Sequence, residues 1–259
     1  MWRCAACGEE NEPPFDACWK CGAEGPPPGD RPPPVIAPPP VPAAPRVASA
    51  GRLIGRSLLD LLLSMALVIA VVIPALAGGT ALAYVFALLL TQPGLLAMAC
   101  WRRRRMARVG EPVAPLWEGG WSRALLVGLP LGAFMAALGV FYAELLKPLG
   151  VAEASPWYFG ESPFAKLLMF FLGIVLAPIG EEAFFRGTML GAFSASGRRG
   201  LGLFCSGVLF APLHVTPSWL PYYFVLSFLL GSAFLGTRSI RAPAIAHAVA
   251  NALILAFHL

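Results

Sequence analysis

Six ionisable or amide side chains stand in stretches that are otherwise apolar: Glu181, Glu182, Arg186, His214, His247 and Asn251. An ionisable group inside a bilayer is costly and calls for a reason. Helical spacing organises the set. Glu182 and Arg186 are four residues apart, so they share a face and can pair. Glu181 is turned about 100° from Glu182 and can point elsewhere. Phe210 and His214 are four apart, as are His247 and Asn251. A carboxylate beside a histidine can hold and deprotonate a water, and a histidine with an amide can stabilise a developing oxyanion. Such parts suffice to hydrolyse an amide bond within a membrane. Buried polar residues that merely glue helices together are the plainer reading, but glue needs fewer ionisable groups than these. His258, the remaining histidine of three, is read as incidental.

A second cluster lies near the N-terminus. Cys4, Cys7, Cys18 and Cys21 form two CxxC knuckles separated by ten residues, a spacing suited to tetrahedral zinc bound by four thiolates. A unit of about 20 residues buries too little core to fold alone, so a structural metal would supply the folding energy. In a reducing cytosol the same spacing argues against disulfides. Cys100 and Cys205 sit in apolar segments and read as small core residues.

The elements that carry the first set are long and apolar. The chain of 259 residues is 58% hydrophobic and 13% charged, with a mean hydropathy of +0.70. A soluble chain this poor in charge would expose large apolar patches, so an all-α integral membrane protein is expected, a polytopic bundle of about seven spans. The spans are read at Leu58–Ala77, Thr80–Trp101, Ala124–Leu145, Ala165–Leu190, Leu201–Val215, Pro221–Leu235 and Pro243–Leu259. The last three are short enough for one to be re-entrant. Pro178 precedes the glutamates and Pro212 precedes His214; both can loosen a helix beside a polar cavity. Counting rise per residue puts His214 deeper than His247, so the fifth span starts later or a broken helix lines the site.

Charge sets the expected orientation. With the N-terminus in the cytoplasm, Arg52, Arg56, Arg102 to Arg105, Arg108, Arg123, Arg198, Arg199, Arg238 and Arg241 all fall on the cytoplasmic side, against Lys147 and Lys166 opposite. Residues 1–22 are then a cytosolic cysteine unit and 23–50 a proline-rich spacer with three Pro-Pro-Pro runs; residues 51–259 form the membrane domain. No secretory leader is expected, since the first apolar stretch begins near Leu58. The net charge of +5 belongs to the membrane part, where topology explains it, and no basic stripe with interleaved aromatics points to nucleic acid.

Glu181-Glu182-Ala183-Phe184-Phe185-Arg186, Phe210-Ala211-Pro212-Leu213-His214 and His247-Ala248-Val249-Ala250-Asn251 resemble the EExxxR, FxxxH and HxxxN motifs of the CPBP family, the CAAX-protease and bacteriocin-processing intramembrane proteases. The resemblance places a protease core at about residues 120–259. It implies an endopeptidase acting on a membrane-associated protein or peptide, with Glu181 as general base and His214 helping to hold the water. His247 and Asn251 would form the oxyanion hole, Glu182 and Arg186 a supporting pair, and Phe210 would pack the cavity. Two histidines and a glutamate could ligate a catalytic zinc, yet no HExxH is present, so a metal-free mechanism is preferred. Trp2, the four cysteines and Asn11 resemble the RanBP2-type zinc finger and bacterial zinc ribbons, which suggests a cytosolic partner or a regulatory role. The competing readings are a non-catalytic scaffold or immunity protein that retains the fold, and a transporter using the polar set as an ion relay.

Overall fold

The computed structural model describes residues 1–11, 15–27, 49–77, 81–111, 113–149, 163–214 and 217–258. Most of the proline-rich spacer, and the side chain of His258, lie outside them. The chain divides into two compact units, Met1–Ala44 and Pro45–Leu259.

The first unit is built on two short strands, β1 (Trp2–Arg3) and β2 (Glu10–Asn11), paired antiparallel with Trp2 opposite Asn11. Each CxxC knuckle ends in a glycine whose backbone lies in the left-handed region, Gly8 at φ 75° and Gly22 at φ 73°. That conformation favours glycine because it has no Cβ. It lets the Gly8 and Gly22 N–H groups donate back to the Cys4 and Cys18 carbonyls, both at 2.8 Å. The core is correspondingly small: Trp2, Cys4 and Cys18, with Ala23 against them.

The described part of the second unit is mainly helical. Helices α1 (Ala50–Ala77), α2 (Ala81–Arg108) and α3 (Trp121–Leu146) come first. A continuous rod, α4, then runs through Pro163–Phe171, Leu172–Leu176, Ala177–Glu181, Glu182–Leu190 and Gly191–Ala195. Within it Leu172–Leu176 and Glu182–Leu190 are π-helical. Helix α5 (Arg199–Phe210) passes into a 3-10 turn, Ala211–His214, where Pro212 cannot continue the helical ladder. Helices α6 (Leu220–Thr237) and α7 (Arg241–His258) complete the bundle.

Among the described residues, two helices, over Trp121–Leu149 and Pro217–Thr237, are long and apolar enough to cross a membrane, and Arg241–Ala256 is a shorter apolar one. The outer surface of α3 carries Leu126, Leu129, Phe134 and Phe141 exposed. These side chains suit a lipid-facing surface and would be a liability in water. Among the described residues, two clusters form the interior of this unit. One gathers Phe184, Phe185, Leu190, Phe193, Phe210 and Phe234, and the other Met135, Tyr222, Leu226, Leu230, Ala246 and Ala250.

Small residues decide how closely the helices meet. Gly128 and Gly132 form a GxxxG step on α3 that seats α7. A Cβ on Gly128 would lie 2.8 Å from the Ala242 carbonyl, and one on Gly132 would lie 2.6 Å from the Ala246 carbonyl. Gly132→Ala is expected to push α7 outward and to lower stability by about 1–3 kcal/mol, read as a lower unfolding temperature in detergent; an unchanged temperature would show that α7 yields freely.

Three of the arginines expected on the cytoplasmic side, Arg103, Arg123 and Arg241, anchor the connection between α2 and α3. Arg103 of α2 donates to the carbonyls of Gly187 and Ala114, each at 2.7 Å. Arg123 donates to Gly236 and Arg241 to Gly119, also at 2.7 Å, and Arg241 lies over the rings of Trp117 and Trp121. The α2–α3 connection is thereby tied both to α4 and to the α6–α7 turn.

Candidate active site

Glu181 closes an α-helical stretch of α4 and Glu182 opens its second π-helical segment. Pro178 lacks the N–H that an α-helical ladder would use, and π-helical turns recur at functional sites. Glu182 and Arg186 are both fully buried. Arg186 Nη1 donates to Glu182 Oε1 at 2.9 Å, and Arg186 Nη2 donates to Ser227 Oγ at 3.0 Å and to the Ser227 carbonyl at 3.2 Å. The guanidinium also lies 4.6 Å from the centre of the Phe210 ring, a cation–π contact strengthened by exclusion of water. His247 of α7 completes this side, its Nδ1 donating to the same Glu182 oxygen at 3.1 Å.

Glu181 is held by a different partner. Its Oε1 accepts from Gln92 Nε2 of α2 at 3.1 Å. Its Oε2 lies 3.9 Å from His247 Nε2 and, buried, makes no hydrogen bond among the described residues. His247 therefore bridges both carboxylates, one at each ring nitrogen, and fixes the end of the cluster nearest α7.

His214 joins through aromatic packing. Its ring stacks on Tyr223 at 3.8 Å and tilts against Phe210 at 4.7 Å, with Nδ1 donating to the Phe210 carbonyl at 3.3 Å. Phe210 in turn meets His247 edge-on at 6.2 Å. Asn251, one turn beyond His247, donates to the Gly173 carbonyl at 2.7 Å. Gly173 lies in the first π-helical segment, where widened turns offer carbonyls to outside donors.

The seven motif residues thus come from three places, α4, the end of α5 and α7. Glu182, Arg186, Phe210 and His247 are in mutual contact, and Glu181 lies beside them, 3.9 Å from His247 Nε2. His214 is linked to them through Phe210, and Asn251 is tied to α4 by its own hydrogen bond. Sequence reading passed over Gln92 and Ser227, because neither stands three or four residues from a histidine, a carboxylate or an arginine. The run Thr91-Gln92-Pro93 inside an apolar helix was the available signal. It also passed over Asp60, which lies in the first expected span and pairs with Arg102 at 2.8 Å.

In the first unit the four cysteine sulfurs lie within 4.8 Å of one another. Cys4 Sγ is 3.6 Å from Cys21 Sγ, and Cys7 Sγ is 3.6 Å from Cys18 Sγ. A tetrahedral ion at about 2.3 Å from each thiolate sets sulfurs about 3.8 Å apart, so the residues fit a metal ion. Burial acts to raise the Cys18 thiol, but the backbone N–H groups of Cys21 and Lys20 outweigh it and bring it down to about 6. Cys7, although a backbone contact at Glu9 favours its thiolate, is pushed up to about 12 by desolvation and the three neighbouring sulfurs. Four thiols this close ionise together only with a cation among them. Chelation is expected to strip metal from the protein and to abolish amide protection over residues 1–26 while protection of the helical unit persists; protection that survived chelation would show a unit folding without metal.

Residues 163–253 match the family model described as type II CAAX prenyl endopeptidase Rce1-like. Residues 1–26, within the first unit, match a domain of unknown function, DUF7577. No curated protein and no solved structure matches the chain. The matched segment contains every motif residue from Glu181 to Asn251, in agreement with the CAAX-protease resemblance of the motifs. That family is membrane-embedded, and the match supports an intramembrane protease at family level.

Proposed function

We propose, for a chain whose residues 163–253 form an Rce1-like CAAX endopeptidase domain, that the buried cluster hydrolyses peptide bonds of a membrane-associated protein or peptide. The observation that carries this reading is the division between adjacent glutamates. Glu182 Oε1 is held by two cationic or ring donors, Arg186 and His247, and Glu181 Oε1 by the neutral Gln92 amide; the second oxygen of each is buried without a hydrogen bond among the described residues, and that of Glu181 lies 3.9 Å from His247 Nε2.

In this mechanism Glu181 Oε2 takes a proton from a water, and His214 helps to hold that water by Nε2, since its Nδ1 donates to Phe210. The hydroxide attacks the carbonyl carbon of the scissile bond. With His247 as imidazolium, two glutamates face two cations, and the charges of the cluster balance. His247 Nε2–H then donates to the tetrahedral oxyanion. Asn251 adds its second amide N–H, the first being held by Gly173. Glu181 returns the proton to the leaving amine as the C–N bond breaks, releasing a carboxylic acid and an amine. The cysteine unit holds a structural zinc and docks a cytosolic partner. The bundle crosses the membrane several times with Arg103, Arg123, Arg241 and the N-terminus on the cytoplasmic side.

The test compares N-terminal peptides of membranes from cells making the wild type and cells making Glu181→Ala at matched levels. New N-termini present only with the wild type are expected, and they would name the substrates. Identical profiles from two folded, inserted proteins would overturn the reading in favour of a scaffold that keeps the fold without the chemistry.

A further inference from the structure

We propose that Gln92 of α2 is a positioning residue for Glu181, holding one carboxylate oxygen so that the other faces the reaction. The inference rests on the protease reading of the same site. Gln92 stands 89 residues away in sequence, on a helix outside the segment matched by the family model. It is 8% exposed, and Thr91 beside it is 3% exposed. A glutamine buried in an apolar helix is costly unless its amide is used, and its Nε2 is spent on Glu181 at 3.1 Å rather than on a backbone carbonyl.

The two glutamates differ in how many donors reach them. Glu182 receives Arg186 and His247 on one oxygen. Glu181 receives Gln92 alone at hydrogen-bond distance among the described residues, with His247 Nε2 standing off at 3.9 Å. Gln92 therefore selects which oxygen of Glu181 is open. Removing it leaves a buried carboxylate free to rotate about its last bond, and its two oxygens become equivalent.

The backbone is built to bring the two together. Gly180 immediately precedes Glu181, and a Cβ there would lie 2.8 Å from the Gln92 carbonyl and 3.3 Å from Gln92 Oε1. Only glycine lets α2 approach α4 this closely. Pro93, next in the helix, withdraws one backbone donor at the same level. A purely structural contact would need helix proximity but no particular acceptor; here the acceptor is the proposed base.

The experiment uses the full-length protein in lipid nanodiscs and a quenched fluorescent peptide spanning a cleavage site found in the N-terminal comparison. Gln92→Leu is expected to lower kcat by about tenfold to a hundredfold, with KM within about twofold and an unchanged unfolding temperature. Gln92→Met, equal in length but without a donor, should behave alike and serves if the leucine variant does not fold. Gly180→Ala should lower kcat in the same sense by moving α2 away. Wild-type kcat in Gln92→Met, with Glu181→Ala inactive, would overturn the role of Gln92 and leave the protease reading standing. A raised KM with intact kcat would also overturn it, making Gln92 a substrate contact. No cleavage attributable to Glu181 would overturn both.

Discussion

Glu181→Gln is expected to lower peptide cleavage by about two to four orders of magnitude, the usual contribution of a positioned general base, while leaving the fold intact. The substitution keeps size and keeps a carbonyl oxygen for the Gln92 amide, so the contact between α2 and α4 at 3.1 Å can persist. What it removes is the capacity of Oε2 to take a proton. Because that oxygen makes no hydrogen bond among the described residues, its replacement by an amide nitrogen breaks no structural contact. Single-turnover cleavage of the identified peptide measures the chemistry, and unfolding in detergent measures the fold. Loss of rate without loss of stability is the expected pair. A rate close to the wild type would sink the assignment of Glu181 as base.

The second large effect falls on stability. Arg186→Leu removes the Nη1 donor 2.9 Å from a Glu182 carboxylate with no solvent exposure. Breaking a buried pair by deleting one partner costs about 3–5 kcal/mol, because the remaining charge is left uncompensated. Ser227 loses both contacts from Nη2, and the Phe210 ring loses the cation above it. We expect Arg186→Leu to be poorly folded, with a markedly lower unfolding temperature. Adding Glu182→Gln should restore part of the loss, since the neutral amide no longer needs a cation and still accepts from His247. Arg186→Lys should rescue only partly: an ammonium reaches one of the two partners but lacks the planar fork that spans Glu182 and Ser227. A double variant less stable than Arg186→Leu would show that the pair is not what holds this end of α4.

The features confined to one helix were open to sequence reading. Glu182 and Arg186 are one helical turn apart, and their pairing follows from spacing and from the cost of leaving either alone in an apolar helix. The cysteine quartet was equally legible, because two CxxC knuckles, each closed by a glycine, bring four sulfurs together with no long-range information. Long apolar segments were also visible, two of which are helices long enough to span a membrane among the described residues, as was the fact that Pro212 would trouble the helix before His214. These are local consequences of period, charge and backbone chemistry.

The partner of Glu181 was decided elsewhere. Gln92 lies 89 residues from it, Ser227 41 residues from Arg186, and Gly173 78 residues from Asn251. Contacts of this kind depend on how far each helix slides and rotates against its neighbours. That register is set by the close approaches at Gly128, Gly132 and Gly180, where a Cβ would run into backbone. Likewise, periodicity places both histidines near the glutamates but cannot say which one touches them. Packing settles it for the described contacts, with His247 bridging both carboxylates and His214 stacked between Phe210 and Tyr223. Sequence by itself determined which groups had to be buried together, because an unpaired charge in an apolar helix is too costly to leave. Only the tertiary structure decided which oxygen of each glutamate is left open and which of the two open oxygens lies beside His247 Nε2, because that depends on differences in helix approach that no pattern along one chain encodes.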